Sequence, residues 1–355
     1  MSRQRIRCLR TSDGVQLAWA EAGSGPTLVR AASWLTHLEY DWDSPVWRHW
    51  MQFLSGHFRY IRYDERGCGM SDRKTGDLSL ERRVEDIEAV IGAAGLSEPF
   101  ALLGVSQGAA LCIDYAVRHP ERVSHLVLYG GYARGWSSRP DSPGRREYQA
   151  IVELARTGWG KDNPAFRQVF TSRFIPGGSA EQIEWWNDLC RRTTTPEIAV
   201  ELLQSRADVD VRDLLGAVRT PTLVIHARDD QVCPISEGRR LASAIPGAEF
   251  VELDSGNHVL LEHEPAWQRF RETVLEFVGV AAARGGENPA FAALSPRERQ
   301  ILALISEGLG NAEIGERLAI SEKTVRNHVS HLFDKLGVWT RAQAMVFARD
   351  RDFRA

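Results

Sequence analysis

Short apolar runs alternate with amphipathic helical patterns over the first 280 residues, and this alternation limits the chain to few architectures. Continuous apolar runs are typical of parallel strands that are buried on both faces. Because helical patterns follow several of the runs, we expect a doubly wound, mostly parallel α/β sheet. The predicted strands are residues 27–29, 60–63, 100–105, 126–129, 222–226 and 249–253, and the clearest predicted helices are residues 81–94, 108–118 and 265–278.

Two segments break this pattern. Residues 281–293 are rich in Ala, Gly and Pro and lack periodicity, which predicts a linker between an α/β domain (1–280) and a small C-terminal domain (294–355). Residues 131–213 contain four tryptophans and a helical pattern instead of strands. We expect this insert to form a helical lid over the carboxyl edge of the sheet.

Composition excludes several classes of protein. The chain has no run of eighteen apolar residues, so no contact with a membrane is expected. Its five cysteines are scattered, with neither disulfide nor metal-ligand spacing, which favours the reducing cytoplasm and predicts no metal and no cofactor. The whole chain has a net charge of −3, but its C-terminal domain is mildly basic, since residues 294–355 carry ten Lys and Arg against eight Asp and Glu.

A predicted strand is followed by Gly104-Val-Ser106-Gln107-Gly108 and then by a predicted helix. A sharp strand-to-helix turn would push the Ser106 hydroxyl out of the sheet, and only small neighbours fit such a turn. The turn would also place the Gln107 N–H at a helix N-terminus, where it can stabilise an oxyanion. The alternative is an ordinary glycine-rich turn without chemistry.

Serine is a poor nucleophile unless a base takes its proton, and the chain offers both partners for that task. Asp230 follows the predicted strand at 222–226, and His258 lies 28 residues further on. We predict His258 as the general base and Asp230 as the group that orients it, with Asp229 as the reserve acid. The alternatives are a helix cap for Asp230 and an ordinary loop histidine for His258.

The region from residue 14 to residue 280 resembles the α/β-hydrolase superfamily in this order of Ser, Asp and His. The run from Asp64 to Asp72 also matches the superfamily's D-x-R-G-x-G-x-S turn, whose role is structural. The resemblance implies an α/β-hydrolase fold and a serine hydrolase acting on a carboxylic ester or a related acyl bond. Where the superfamily has His-Gly, this chain has Arg-Ala-Ala-Ser33-Trp34, and we expect the Ser33 N–H to be the second oxyanion donor.

Several tryptophans follow this loop, and core packing is their ordinary explanation. The alternative is that Trp34 lines an apolar pocket together with Trp185 and Trp186 of the predicted lid. Such a pocket would suit a hydrophobic acyl or aromatic small-molecule ligand.

The C-terminal domain contains start and stop signals for four helices. Ser295-Pro-Arg-Glu298 is a capping box, glycines at 308 and 310 end the first helix, and Ser321 caps the third after a short turn at Ala319-Ile320. Apolar residues of the third helix recur on one face, and polar residues occupy the N-terminal half of the other. These polar residues are Lys323, Arg326, Asn327 and Ser330. The face is suited to base edges and phosphates, although a merely solvated face is the alternative.

Residues 294–349 resemble the LuxR-type helix-turn-helix in the strings LSPRE, GLGNAEI, ISEKTVRNH and KLGV. The resemblance implies binding of double-stranded DNA, with Arg326, Asn327 and Ser330 facing the bases. Three further residues would contact phosphate or hold the helix in place, namely Thr324, His328 and Lys335. The family pairs two such units, often through the fourth helix, so we expect a homodimer.

These features predict a DNA-binding transcriptional regulator whose α/β-hydrolase domain binds, and in one version hydrolyses, a small hydrophobic ester or lactone. An alternative is an active esterase, thioesterase or lactonase with an appended DNA-binding module. A third is a scaffold with an inactive site, which a complete triad disfavours.

Overall fold

The computed structural model describes residues 3–138, 143–280, 291, 294–318 and 320–350, and it divides into two compact units, Met1–Val280 and Ala281–Ala355. The predicted linker lies outside the described residues except for Phe291, as does Ala319 of the predicted turn.

The first unit is built on one eight-stranded sheet with the strand order β1-β2-β4-β3-β5-β6-β7-β8. From β4 to β8 every neighbouring pair is parallel, whereas β2 pairs antiparallel with β1 and β4. The predicted doubly wound, mostly parallel sheet is therefore confirmed. The strands are β1 (Arg5–Arg10), β2 (Gln16–Ala22), β3 (Thr27–Arg30), β4 (Arg59–Tyr63), β5 (Phe100–Val105), β6 (Val123–Tyr129), β7 (Thr222–Ala227) and β8 (Glu249–Leu253).

Helices cover both faces of the sheet. Adjacent residues of β5 show why, since Leu102 belongs to the core on one face and Leu103 to the core on the other. No helix among the described residues is both long and apolar enough to cross a bilayer. The helices around the sheet are α1 (Leu38–Trp42), α2 (Arg48–His57), α3 (Leu80–Ala93), α4 (Gly108–Arg118), then α5 (Pro143–Gly158), α6 (Ala165–Phe174), α7 (Ala180–Thr193) and α8 (Pro196–Ser205) from the 131–213 segment, and finally α9 (Ile235–Ala244) and α10 (Pro265–Val278).

The described part of the second unit contains four helices, α11 (Pro296–Ser306), α12 (Asn311–Leu318), α13 (Glu322–Leu336) and α14 (Arg341–Asp350). The Ser295–Glu298 capping box forms as expected, and Ser321 caps α13 by accepting from the Thr324 N–H. Gly337 ends α13 in the left-handed conformation, with φ of +66°. Buried aliphatic side chains from all four helices form one core.

An ion pair between the buried Glu298 and the exposed Lys335 ties α11 to α13 in this unit. Glu298 accepts from the Ser295 N–H at 2.7 Å and from Lys335 Nζ at 2.7 Å. Desolvation opposes ionisation of this carboxyl, but the hydrogen bonds from Lys335 and Ser295 outweigh it and lower the pKa of Glu298 from 4.5 to about 2. Because the folded pKa is depressed, the stabilisation is present above about pH 4.5 and is lost as the pH falls towards 2.

Glu298→Gln is expected to reduce the stability of this unit by about 1–3 kcal/mol at neutral pH, since glutamine keeps the cap but loses the charge. The difference from the wild type should vanish as the pH approaches about 2. Hydrogen exchange of the α11 and α13 amides measures both effects. The matched control is Glu307→Gln, whose carboxylate is 53% exposed and whose loss should change little. A difference that is independent of pH would show that the charge is not its source.

Candidate active site and nucleic-acid interface

Ser106 occupies the sharp turn between β5 and α4. Its φ is +56°, and it is the one non-glycine residue with a positive φ in the described part of the chain. The Ser106 N–H donates to the Tyr129 carbonyl at 2.8 Å, so that the end of β6 holds the turn in place. A left-handed conformation costs about 1–3 kcal/mol for a residue other than glycine and is found mainly at functional sites.

Glycines allow α4 to lie directly against the sheet below this turn. A Cβ atom at Gly104 would stand 2.7 Å from Ala109 Cα, and one at Gly131 would stand 2.3 Å from Ala109 Cβ. Both distances are too short for carbon atoms, so the turn requires glycine at both positions.

Gly104→Ala is expected to lower the free energy of unfolding by about 1–3 kcal/mol, because the new methyl group overlaps the Ala109 backbone. Urea denaturation measures the loss. The matched control is Gly92→Ala in α3, where a Cβ atom meets nothing within 4 Å. It should instead stabilise the chain by about 0.5–1 kcal/mol. Equal effects of the two changes would contradict the close packing of α4 on β5.

Asp230 and His258 meet at the carboxyl ends of β7 and β8. His258 Nδ1 lies 2.6 Å from Asp230 Oδ2, and both side chains are buried. Asp230 Oδ1 accepts from the N–H groups of Val232 at 2.7 Å and Cys233 at 2.9 Å. Burial alone would raise the pKa of Asp230, but the charge and hydrogen bond of His258 and the Cys233 N–H outweigh it, and the pKa is lowered.

The ionised Asp230 can only accept, so Nδ1 of His258 donates to it, and in the neutral imidazole Nε2 is the nitrogen with the free lone pair. Nε2 is buried and has no hydrogen-bond partner among the described residues. A Cβ atom at Gly130 would come within 3.1 Å of His258 Cε1, so glycine leaves room for the ring. Asp229, the reserve acid, is exposed, and the contact with His258 comes from Asp230.

A cavity of about 60 Å³ opens above Ser106. Trp34 lies on its wall, but Trp185 and Trp186 lie away from it. Trp186 is packed in the core, with its ring centroid 5.1 Å from that of Phe174. Trp185 stacks on Tyr40, with 5.1 Å between the ring centroids. The other lining residues are Gln107, Tyr132, Trp136, Tyr148, Ile151, Phe170, Arg173, Phe174, Leu203, Arg206 and Val232.

The two predicted oxyanion donors are placed differently. Gln107 lies on the cavity wall at the N-terminus of α4, where backbone N–H groups have no partner within the helix. Ser33 is buried behind the wall, and its hydroxyl accepts from Arg30 Nη2 at 3.1 Å. The next residue, Trp34, reaches the cavity instead.

The polar face of α13 is turned to solvent, with Lys323, Arg326, Asn327 and Ser330 all exposed. Of the three supporting residues, Thr324 is 2.8 Å from the Ser321 hydroxyl at the helix cap, and His328 is half-buried. Lys335 forms the ion pair with Glu298, which is the buttressing arrangement.

The turn between α12 and α13 is tight. A Cβ atom at Gly315 would stand 2.8 Å from the Ile320 carbonyl oxygen, and the Ile320 N–H donates to the Gly315 carbonyl at 3.0 Å. The close approach fixes α13 against α12, as a helix-turn-helix requires.

Residues 49–266 match the family model described as serine aminopeptidase, S33, which covers more than half of the chain. The chain belongs to the serine aminopeptidase S33 family.

Individual relatives of this S33-family chain are hydrolases. It is 26% identical over 255 residues to the AB hydrolase superfamily protein YisY of Bacillus subtilis (strain 168), covering 70% of this chain and 91% of the relative. It is 27% identical over 256 residues to the pyrrolizixenacetamide deacetylase of Xenorhabdus hominickii, covering 70% and 90%. An esterase from Exiguobacterium antarcticum superposes with a TM-score of 0.65 at 24% identity, covering 78% of this chain and all of the esterase. This likeness shows the α/β-hydrolase fold.

Residues 292–348 match the model of bacterial regulatory proteins, luxR family. The predicted LuxR-type helix-turn-helix is therefore confirmed, and the S33-family domain is followed by a DNA-binding domain.

Sequence reasoning missed most of the cavity wall. Tyr132, Arg173 and Arg206 belong to no motif, and their only signal is membership of the 131–213 insert. These side chains reach the cavity because the insert folds over Ser106.

Proposed function

We propose that this S33-family chain is a transcriptional regulator whose α/β-hydrolase domain binds, and slowly hydrolyses, a small hydrophobic ester or lactone. Occupancy of the cavity changes the affinity of the helix-turn-helix domain for double-stranded DNA. The observation that carries the proposal is that Ser106 lines an aromatic cavity in a chain that also has a formed Asp230–His258 pair and a LuxR-type domain.

The proposed chemistry is acyl transfer to serine. His258 Nε2 takes the proton as Ser106 Oγ attacks the ester carbonyl, and Asp230 stabilises the resulting imidazolium. The Gln107 N–H, with the main chain at residues 33–34, stabilises the oxyanion. His258 then gives its proton to the leaving alkoxide. Water attacks the acyl-serine, releasing the carboxylic acid and restoring Ser106.

On DNA, α13 enters the major groove with Arg326, Asn327 and Ser330 towards base edges. Lys323 contacts phosphate, with Thr324 and His328 at the groove edge. Lys335 acts indirectly, since its ion pair with Glu298 holds α13 in place.

A homodimer is proposed through α14 and the turn before it. Trp339 is 85% exposed and Val346 is 45% exposed, and they line one groove. A second copy is the proposed occupant, because two units reading half-sites about 34 Å apart must be held together.

Trp339→Ala is expected to weaken self-association at least about tenfold, since buried tryptophans at interface centres typically contribute more than 2 kcal/mol. Sedimentation equilibrium measures the dissociation constant. The matched control is Val169→Ala, an exposed apolar residue of α6, which should not change it. An unchanged dimer in the Trp339 variant would place the interface elsewhere.

The regulatory proposal is tested by DNA affinity. An operator is selected from random duplexes, and its affinity is measured by fluorescence anisotropy with and without panels of 4-nitrophenyl esters and γ-lactones, using the Ser106→Ala chain to prevent turnover. At least one ligand should change the affinity by about 5- to 150-fold. Turnover by the wild type, with DNA affinity unchanged by every ligand, would instead favour the second candidate, a serine hydrolase with a DNA-tethering module. The formed Asp230–His258 pair supports that candidate.

A further inference from the structure

Arg206 is a buried cation on the wall of the Ser106 cavity. It follows the end of α8, is 4% exposed, and lines the cavity together with Ser106. Its guanidinium stands over the ring of Trp34, 4.9 Å from the ring centroid. A charge is expensive to bury unless partners satisfy it, so the surroundings of Arg206 decide what it does.

The partner of Arg206 is shared. Glu65 accepts a hydrogen bond from Arg206 Nη2, and its other oxygen lies 3.6 Å from Arg83 Nη1. All three side chains are buried. One carboxylate therefore serves two guanidinium groups. The neighbouring Asp86 is engaged by Arg66 at 2.5 and 2.8 Å and adds no contact to Arg206.

The donors of Arg206 are also incompletely used. Its Nε and Nη1 atoms are buried without a hydrogen-bond partner among the described residues, and so is Nε2 of Gln107 on the same wall. The other arginine of the cavity, Arg173, donates to the Gln231 carbonyl, and its Nη1, although without a hydrogen bond, lies 2.9 Å from Glu147, so its charge has a carboxylate partner. Buried donors are normally bonded, so the unused donors of two residues that line the cavity indicate a missing acceptor.

We propose that the ligand carries a carboxylate, separate from the bond that Ser106 attacks, and that Arg206 binds it. This inference rests on the proposed function of the cavity. A ligand carboxylate would supply the acceptor that Arg206 lacks while it shares Glu65 with Arg83, and the aromatic walls take the apolar body between the two ends of the molecule. The ligand class is the half-ester or lactone of an acid that keeps a second, free carboxyl group. That carboxylate is unchanged by hydrolysis.

The first test uses binding without turnover. Phenylalkanoates with one to four methylene groups, and the matching neutral amides, are titrated calorimetrically into the full-length Ser106→Ala chain. At least one acid should bind about tenfold or more tightly than its amide, as expected for a charge-assisted contact. Equal affinities, or no binding by any acid, would overturn the proposal. This comparison needs no change at Arg206.

The second test assigns the preference to the residue. Arg206→Gln should bring the ratio of acid to amide affinity close to one, and Arg206→Lys should retain part of it. The matched control is Arg167→Gln, another buried arginine of the same insert that does not line the cavity, and it should keep the wild-type ratio. Unfolding of each variant is checked by circular dichroism. A folded Arg206→Gln chain with the full preference would exclude Arg206.

Turnover separates this inference from the proposed hydrolysis. The ratio of kcat/KM for mono-4-nitrophenyl glutarate to that for 4-nitrophenyl butyrate should exceed about ten in the wild type and fall with Arg206→Gln. Acid binding without turnover of either ester would reject hydrolysis alone. Turnover with a preference for the neutral ester would reject the carboxylate site alone.

Discussion

Ser106→Ala is expected to abolish labelling of the chain by a fluorophosphonate probe and to reduce ester hydrolysis by at least about 10³-fold. The probe forms a bond from phosphorus to the serine oxygen and releases fluoride, so it reports an activated hydroxyl and not mere binding. Activation is expected because Nε2 of the buried His258 has no hydrogen-bond partner in the part of the chain that the structure describes and can accept the Ser106 proton. Labelling is followed by mass spectrometry of the modified peptide. Labelling that persists in the Ser106→Ala chain would place the nucleophile elsewhere.

Asp230 and the adjacent Asp229 provide a test variant and its matched control for the same assay. Asp230→Asn should lower kcat by about 10⁴-fold, because an amide cannot stabilise the imidazolium and favours the wrong tautomer. Asp229→Asn removes one charge at the next position, but this side chain is exposed and should cost little. Equal losses in the two variants would contradict the assignment of Asp230 as the orienting acid.

Arg326→Ala is expected to weaken binding to the selected operator by about 30-fold to 10⁴-fold. A bidentate contact to a base contributes about 1–3 kcal/mol, and the proposed dimer would lose two of them. Arg326 is available for this contact because its side chain is 69% exposed, with Glu322 as its partner at 3.0 Å on the helix surface. Fluorescence anisotropy with the operator and with a scrambled duplex measures the loss of affinity and of specificity.

The matched control is Arg317→Ala, which removes the same charge from α12, where the side chain is 61% exposed. It should lower affinity for both duplexes slightly, through the loss of a non-specific electrostatic contribution. If Arg326→Ala weakens both duplexes equally, the residue contacts phosphate and the base-reading role is wrong.

Local chemistry explains which elements the sequence predicts well. The run at Phe100–Val105 and the helix at Gly108–Arg118 have the predicted bounds, because an apolar run defines the strand, Gly108 begins the helix and Pro120 follows its end. Ser295 and Ser321 likewise cap helices through contacts three residues away. These signals predict the structure well because the residues that produce them lie only a few positions apart in the sequence.

Distant partners explain what was missed. β1 pairs with β2 at the exposed edge of the sheet, so its arginines replace the apolar run that identified the buried strands. Lys335 meets Glu298 across 37 residues, and Arg206 meets Glu65 across 141. Nothing near Trp185 or Trp186 in sequence indicates that they pack away from Ser106. Such pairings depend on how the helices of the insert dock, which periodicity does not encode.

The catalytic groups and most of the cavity wall come from different parts of the chain. Ser106, Asp230 and His258 stand at the ends of three strands, whereas most lining side chains belong to the one insert between β6 and β7. Under the proposed function, a chimera that exchanges residues 131–213 should therefore bind a different ligand while it keeps Ser106, Asp230, His258 and the helix-turn-helix domain.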